Sequence, residues 1–161
     1  MTADPFSEKI YSLPGIIQKL SQWKKEGKKI VFTNGVFDLL HKGHIFSLSR
    51  AAQQGDILII GLNSDASVKR LKGNSRPVND QDARALLLSS LVMVDAVVIF
   101  EEDTPQQLIT AILPDVLVKG GDYTIDQIAG AKEVIANGGK IVINPILDGF
   151  STTAIINAIA K

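Results

Sequence analysis

Five short apolar runs constrain this chain more than any other feature of its sequence: Lys29–Thr33, Ile57–Leu62, Ala96–Phe100, Val116–Val118 and Ile141–Ile143. None of them alternates strictly between apolar and polar residues, which is how strands covered on both faces read. The segments between them span ten or more residues and carry helical periodicity, as crossover helices require. The predicted fold class is therefore α/β, an open parallel five-stranded sheet flanked by helices. At 161 residues and 45% hydrophobic content, the chain suits one domain with a core of ordinary size.

Leu13, Ile16, Ile17, Leu20 and Trp23 recur at helical spacing, so an amphipathic helix is predicted over residues 14–26, ended by Gly27. Residues 1–28 are read as a helical extension packed on the domain formed by residues 29–161. Further helices are predicted over residues 43–54, 80–92, 104–112, 125–136 and 152–160. Thr104-Pro105 supplies a cap followed by proline in the first turn, and Ser151 precedes the last helix as a cap. Asn63–Asn79 reads as one long irregular stretch holding Lys69, Arg70, Lys72 and Arg76, and loops of that length are usually functional or disordered.

Charge and composition exclude several classes of function. Seventeen basic and seventeen acidic side chains cancel, leaving no net field to attract nucleic acid or an anionic membrane. The absence of cysteine removes disulfides, thiolate zinc sites and cysteine nucleophiles. Met1–Lys9 lacks the basic start and apolar core of a secretion signal, and Ala85–Phe100, broken by Ser89, Ser90 and Asp95, is too short to span a bilayer. The expected location is the cytoplasm, with no membrane or nucleic-acid partner. Apolar residues left exposed on a small sheet point to a homodimer.

In an open parallel sheet, ligands bind beyond the carboxyl ends of the strands. The first strand there runs into Thr33-Asn34-Gly35-Val36-Phe37-Asp38-Leu39-Leu40-His41-Lys42-Gly43-His44, after which a helix begins. The only two histidines of the protein stand three residues apart at this helix start. An imidazole can donate to phosphate oxygens, Gly43 leaves room for close approach, and the helix N-terminus adds free N–H groups and partial positive charge. Asn34-Gly35 alone would also suit a hairpin turn, but the helical pattern that follows argues against one. Metal binding by His41 and His44 would have only Asp38 as a nearby third ligand.

Three other segments could contribute. Lys69, Arg70, Lys72 and Arg76 on a mobile segment could close over a triphosphate, or form a solvated loop. Val118-Lys119-Gly120-Gly121-Asp122-Tyr123 ends the fourth apolar run. Its glycines would let backbone approach a ligand and Asp122 could accept from hydroxyls, although Gly-Gly-Asp also reads as a plain turn. Asp148-Gly149-Phe150-Ser151-Thr152-Thr153 precedes the last helix and could bind a second phosphate, although capping alone explains Ser151. The glycine fingerprints of dinucleotide-binding and P-loop proteins are absent, as is a Gly-x-Ser-x-Gly nucleophile elbow.

The segment ending His41-Lys42-Gly43-His44 closely resembles the His-x-Gly-His signature of the cytidylyltransferase-like nucleotidyltransferases. Asn63–Ser67, Leu71–Asn79, Phe100–Pro105, Ile112–Tyr123, Ile128–Val134 and Ser151–Thr153 extend the resemblance to the D-glycero-β-D-manno-heptose 1-phosphate adenylyltransferases, from about residue 29 to the end of the sequence. The resemblance implies a Rossmann-like sheet. It also implies a reaction in which ATP and heptose 1-phosphate give ADP-heptose and pyrophosphate, toward the core of lipopolysaccharide. His41, His44 and Lys72 would be catalytic. Thr33, Asn34, Gly35, Phe37, Gly43, Arg76, Gly120, Ser151, Thr152 and Thr153 would bind the nucleotide and its phosphates, and Asp38 and Asp122 the sugar phosphate. Mg²⁺ would ride on the triphosphate rather than on protein side chains alone.

The family often occurs fused behind a sugar kinase domain. No kinase precedes this sequence, so a stand-alone form with a separate kinase in the same pathway is expected. A CTP-dependent enzyme for glycerol phosphate or another polyol phosphate is the alternative. Ile146-Leu147-Asp148-Gly149 lacks the arginine that those enzymes place before their Gly-x-Ser-Thr-Thr segment. A non-catalytic nucleotide-binding module is a third reading, and the intact histidine pair and Ser-Thr-Thr segment argue against it. Lys42 stands where the family commonly has a small apolar residue.

Overall fold

The computed structural model describes residues 4–161; the first three residues of the predicted N-terminal extension lie outside them. Six strands, not five, form one parallel sheet: β1 (Ile10–Tyr11), β2 (Ile30–Gly35), β3 (Ile57–Asn63), β4 (Ala96–Phe100), β5 (Val116–Gly120) and β6 (Lys140–Asn144). Their order is β1-β4-β3-β2-β5-β6. The extra strand is the two-residue β1, which pairs Ile10 with Val97 and Tyr11 with Val98 at the sheet edge. Two residues are too few to show a period, so no apolar run marked it in the sequence.

The described residues also form seven α-helices: α1 (Leu13–Lys25), α2 (Lys42–Ala52), α3 (Asp65–Lys72), α4 (Gln81–Ser89), α5 (Gln106–Ile112), α6 (Ala131–Ala136) and α7 (Thr152–Ile159). Consecutive residues of β2 point to opposite layers. Ile30 and Phe32 join Ile16, Leu20 and Trp23 of α1 and Ile109 and Ile112 of α5 on one face. Val31 packs with Leu48 of α2 and Leu88 of α4 on the other. Burial on both faces is the physical cause of the uninterrupted apolar runs. Residues 10–28 therefore add both a strand and a helix to the body of the sheet.

Two predicted segments differ from the structure. Asn63–Asn79 is not one irregular stretch. Ser64 caps α3 by accepting from the N–H of Ser67 at 3.2 Å, and the loop proper begins at Gly73. This short helix buries only Ser67 and Val68, too little apolar surface to give a helical pattern. The predicted helix over residues 125–136 divides into a single 3₁₀ turn, Ile125–Gln127, and α6, with Gly130 in the left-handed region between them (φ 77°). Thr104 does not cap α5, whose cap position is Pro105 without a side-chain bond, whereas Ser151 caps α7 by accepting from the N–H of Ala154 at 3.0 Å.

The strand order reverses at β2, because β3 and β4 follow on one side and β5 and β6 on the other. Such a switch point opens a crevice at the carboxyl end of the sheet. β2 and β5 deliver Asn34, Gly35, Lys119 and Gly120 to it, and α2 starts there.

Candidate active site

His41 is the cap residue of α2, and its Nδ1 accepts the N–H of Gly43 at 3.1 Å. An imidazole that accepts through Nδ1 carries its proton on Nε2 when neutral, which leaves an N–H free for a ligand. His44 follows by one helical turn, and the two rings stack with centroids 3.8 Å apart. Gly43 is required by this packing: a Cβ there would lie 2.9 Å from Cε1 of His41 and 3.2 Å from Cβ of Phe150. Phe37, held at φ 46°, packs its ring 5.2 Å from that of His44.

Nδ1 of His44 is buried without a hydrogen-bond partner. Burial first, then repulsion from His41, brings the His44 pKa down to about 4; the Leu39 backbone offsets part of this without giving Nδ1 a hydrogen bond. Burial also lowers His41. Both imidazoles are thus neutral donors near pH 7 in the free protein, at a helix start that favours anions.

The second helix N-terminus converges on the first. Thr152 Oγ1 donates a long bond of 3.4 Å to the carbonyl of Leu39, and the Phe150 ring lies 6.5 Å from that of His41. Ser151 and Thr153 are exposed at this helix start. Lys42 Nζ sits 5.6 Å from the centre of the Phe150 ring.

Three adjoining cavities line the crevice. One of about 140 Å³ lies between His41, His44, Gly120 and Phe150. A second, about 240 Å³, is bounded by Thr33, Asn34, Gly35, Phe37, His44 and Gly120. The third, about 420 Å³, brings Lys72 to Asn34, Gly35, Asn63, Asp103, Lys119 and Gln127. Most of the sequence-predicted residues therefore meet around the tip of β2. Asp122 does not join them there; it lines a separate depression of about 460 Å³ with Asn144, Ile146 and Asp148, on the β6 side. A larger depression of about 650 Å³, lined by Lys24, Lys28, Lys29 and Lys140, lies at the opposite end of the strands, away from both histidines.

Asp38 and Arg76, expected to touch sugar phosphate and nucleotide phosphate, bind each other through Nε of Arg76. Asp38 is 1% exposed, and its carboxylate accepts from Arg76 Nε at 2.6 Å and from the backbone N–H groups of Val78 and Asn79. Burial pushes its pKa up, but the two N–H groups and the guanidinium outweigh it and hold the carboxyl below its usual range. With its acceptors engaged by Arg76, Val78 and Asn79, Asp38 pins the 74–79 loop against the site.

Sequence reasoning passed over Arg84 and Lys119. Arg84 is fully buried and donates to the carbonyls of Val36, Asn63 and Asn79 and to Asp65. Its spacing with Leu88 on the buried face of α4 was the available signal. Lys119 lies within a motif singled out for its glycines and aspartate, at the strand end where ligands bind.

Among the described residues no helix is long and apolar enough to cross a membrane, and no group of three His, Asp or Glu side chains is placed to hold a metal ion. A family described as cytidylyltransferase-like matches residues 32–158. The bifunctional protein HldE of Shigella flexneri serotype 5b (strain 8401) is 60% identical over 138 residues, 86% of this chain and 29% of that protein. The HldE of Rhodopseudomonas palustris (strain BisB18) is 57% identical over 150 residues, 92% of this chain and 31% of that protein. The chain thus spans about three-tenths of the length of these relatives. Among solved structures, a lipopolysaccharide core biosynthesis protein from Thermoplasma volcanium is 27% identical with a TM-score of 0.59, covering 75% of this chain and 98% of that one. A pantoate-beta-alanine ligase from Francisella tularensis shares the fold, with a TM-score of 0.61 at 16% identity over 92% of this chain and 76% of that one. By the family match over residues 32–158, with the paired histidines at the start of α2, this chain belongs to the cytidylyltransferase-like family.

Proposed function

We propose that the chain transfers AMP from ATP to D-glycero-β-D-manno-heptose 1-phosphate, giving ADP-heptose and pyrophosphate for the core of lipopolysaccharide. The observation that carries nucleotidyl transfer is the stacked His41–His44 pair at the start of α2, beside the switch point of the sheet. The sugar assignment rests on the loop motifs shared with the heptose 1-phosphate adenylyltransferases. It is supported by the identity to HldE and the likeness to a lipopolysaccharide core biosynthesis protein.

The sugar phosphate is the nucleophile. One of its oxygens attacks the α-phosphorus of ATP, a P–O bond forms, and the bond to the β-phosphate oxygen breaks with its electron pair leaving on pyrophosphate. No covalent enzyme intermediate and no proton transfer is needed, so alignment and charge stabilisation are the protein's contribution. In this reading Nε2–H of His41, His44 and the N-termini of α2 and α7 receive phosphate oxygens, and Lys72 approaches from the end of α3. Ser151, Thr152 and Thr153 support the nucleotide from the start of α7. ATP enters as its Mg²⁺ complex, the metal neutralising phosphate charge. Asp122, across β5 from the Lys72 cavity, is proposed for hydroxyl contacts on the β6 side. The working unit is proposed as a homodimer in the cytoplasm, supplied by a separate sugar kinase.

The test is pyrophosphate release with Mg²⁺, D-glycero-β-D-manno-heptose 1-phosphate and either ATP or CTP, run beside a His44→Ala variant. ATP-selective release reduced about 10²- to 10³-fold in the variant is expected, the usual loss for one such donor. Release only with CTP would reassign the enzyme to the polyol-phosphate type. Unchanged turnover in the variant would overturn the site.

A further inference from the structure

Lys119 stands at the carboxyl end of β5, two residues beyond the Phe32–Leu117 pair, beside Asn34 at the tip of β2. It lines both the 420 Å³ and the 240 Å³ cavities, as does Asn34. The 240 Å³ cavity also holds His44, so Lys119 marks the seam between the histidine site and the space on its β3 side.

Its charge is uncompensated. Among the described residues the three ion pairs are Arg70–Asp103, Arg76–Asp38 and Arg84–Asp65, and none includes Lys119. Its ammonium lies 5.2 Å from the centre of the Tyr123 ring and, among the described residues, makes no ion pair. Burial lowers its pKa, the mark of a cation partly withdrawn from water without a counter-ion. Within the larger cavity Lys72, Asp103 and Lys119 are the charged lining residues, and Asp103 is already held by Arg70 at 2.7 Å. The space is therefore net cationic, with Asn34, Asn63, Thr104 and Gln127 offering hydrogen bonds around it. That combination suits a polyhydroxylated ligand bearing one phosphate.

We propose that Lys119 holds the phosphate of the sugar substrate, with the sugar in the 420 Å³ cavity and the phosphate directed across the seam toward the nucleotide at His41 and His44. The assignment rests on the nucleotidyl-transfer reading above and adds to it the residue and the cavity that receive the nucleophile. Lys72 is exposed at the end of α3, whereas Lys119 is fixed on the sheet, so the ammonium of Lys119 is the one with a set position relative to the histidines.

The test compares the wild-type chain with Lys119→Met and Lys119→Arg, the fold of each being checked by thermal melting. In Lys119→Met the KM for heptose 1-phosphate should rise about 10- to 100-fold, the loss expected for one charge-assisted contact, while the Kd for MgATP moves less than about 3-fold. Lys119→Arg should recover part of the loss. An unchanged KM for the sugar phosphate, or an equal weakening of MgATP, overturns the assignment. A second measurement requires no turnover: acylation of Lys119 in the wild-type chain by an amine-reactive ester, read by mass spectrometry. Heptose 1-phosphate or mannose 1-phosphate should protect Lys119 and MgATP should protect it much less. Protection by neither sugar phosphate, or by MgATP equally, overturns the assignment. A wild-type chain that releases no pyrophosphate from ATP and heptose 1-phosphate would overturn the proposed reaction, while protection by mannose 1-phosphate would still uphold the place of Lys119.

Discussion

The imidazole rings of His41 and His44 stack with centroids 3.8 Å apart and planes 23° from parallel. Two cationic rings at that separation would repel strongly, and repulsion from His41 is one of the causes that bring His44 down to about 4. Near pH 7 the pair would therefore meet the triphosphate of the proposed reaction as two neutral donors, and phosphate charge arriving beside them would favour protonation. His44 should titrate near pH 4 in the free protein and at a higher pH with MgATP bound. Histidine ring NMR with and without the nucleotide checks this; a midpoint that stays fixed would place the phosphates elsewhere.

The same shift makes stability depend on pH. His44 titrates near 4 when folded, below the roughly 6.5 of an unfolded histidine, so the unfolded chain binds the extra proton first. The contribution of neutral His44 is full above about pH 6.5 and is lost as pH falls from there toward 4. His41 is shifted in the same direction. Urea unfolding at pH 7.5 and pH 5 should show a smaller loss for His44→Asn than for the wild-type chain. An equal loss in both would mean that His44 is not the group being charged.

Gly43 separates positioning from binding chemistry. The Cβ of Gly43→Ala would sit 2.9 Å from Cε1 and 3.0 Å from Nδ1 of His41, so the ring must swing off its cap. Alanine is a good helix former at this first-turn position, and the overlap is with side chains, so the fold should survive. Turnover should fall about 10²-fold, the scale of a roughly 1 Å misplacement. Full activity at unchanged melting temperature would show that the ring orientation seen here is not the working one.

Asp38 connects the turn after β2 to the 74–79 loop through Arg76 Nε and two backbone N–H groups. In Asp38→Asn a charged acceptor is lost and Arg76 is left without its counter-charge. Breaking a buried pair in this way costs about 3–5 kcal/mol, and the 14% exposure of Arg76 places this case toward the lower end. Because the Asp38 pKa is lowered by folding, its contribution is full above about 4 and is lost progressively as pH falls from there through the lower folded pKa. Denaturant unfolding at pH 7 and pH 3 should show the variant less destabilised at the lower pH. A gap of the same size at both would remove the ion pair as its cause.

What could be read in advance follows from what leaves a periodic or chemical trace. The runs from Lys29 to Val118 announced four strands because both faces of each are buried, and Ile141–Ile143 announced the edge strand β6 although it is only partly covered, whereas the two residues of β1 are recruited by pairing with Val97 and Val98. His41 and His44 were legible because their type, spacing and place before a helix coincide. Asp38 was legible only as a polar residue near the site. That its partner would be Arg76, 38 residues away, depends on how the loop folds back, which no local pattern encodes. Lys119 was visible as a letter at a strand end, but its lack of a counter-ion is a property of the assembled surface.

Arg84 tests how far the site depends on a residue that never reaches it. Nε donates to the carbonyl of Asn79 at 2.9 Å, Nη1 to those of Val36 and Asn63 at 2.8 Å each, and Nη2 to Asp65 at 2.7 Å. One buried guanidinium thus joins the turn after β2, the end of β3, the start of α3 and the loop pinned by Asp38. Arg84→Met keeps most of the volume but strips three carbonyls and a carboxylate of their donors. The expected loss is about 3–5 kcal/mol, or roughly 6–20 °C in Tm for a chain of this size. Arg84→Lys keeps the charge but not the planar fork, so it should recover only part of that loss. If the role is positioning, pyrophosphate release well below the new Tm should show a lowered kcat with little change in the Kd for MgATP, since His41 and His44 are anchored by α2. A loss of stability with full kcat would confine Arg84 to holding the fold together.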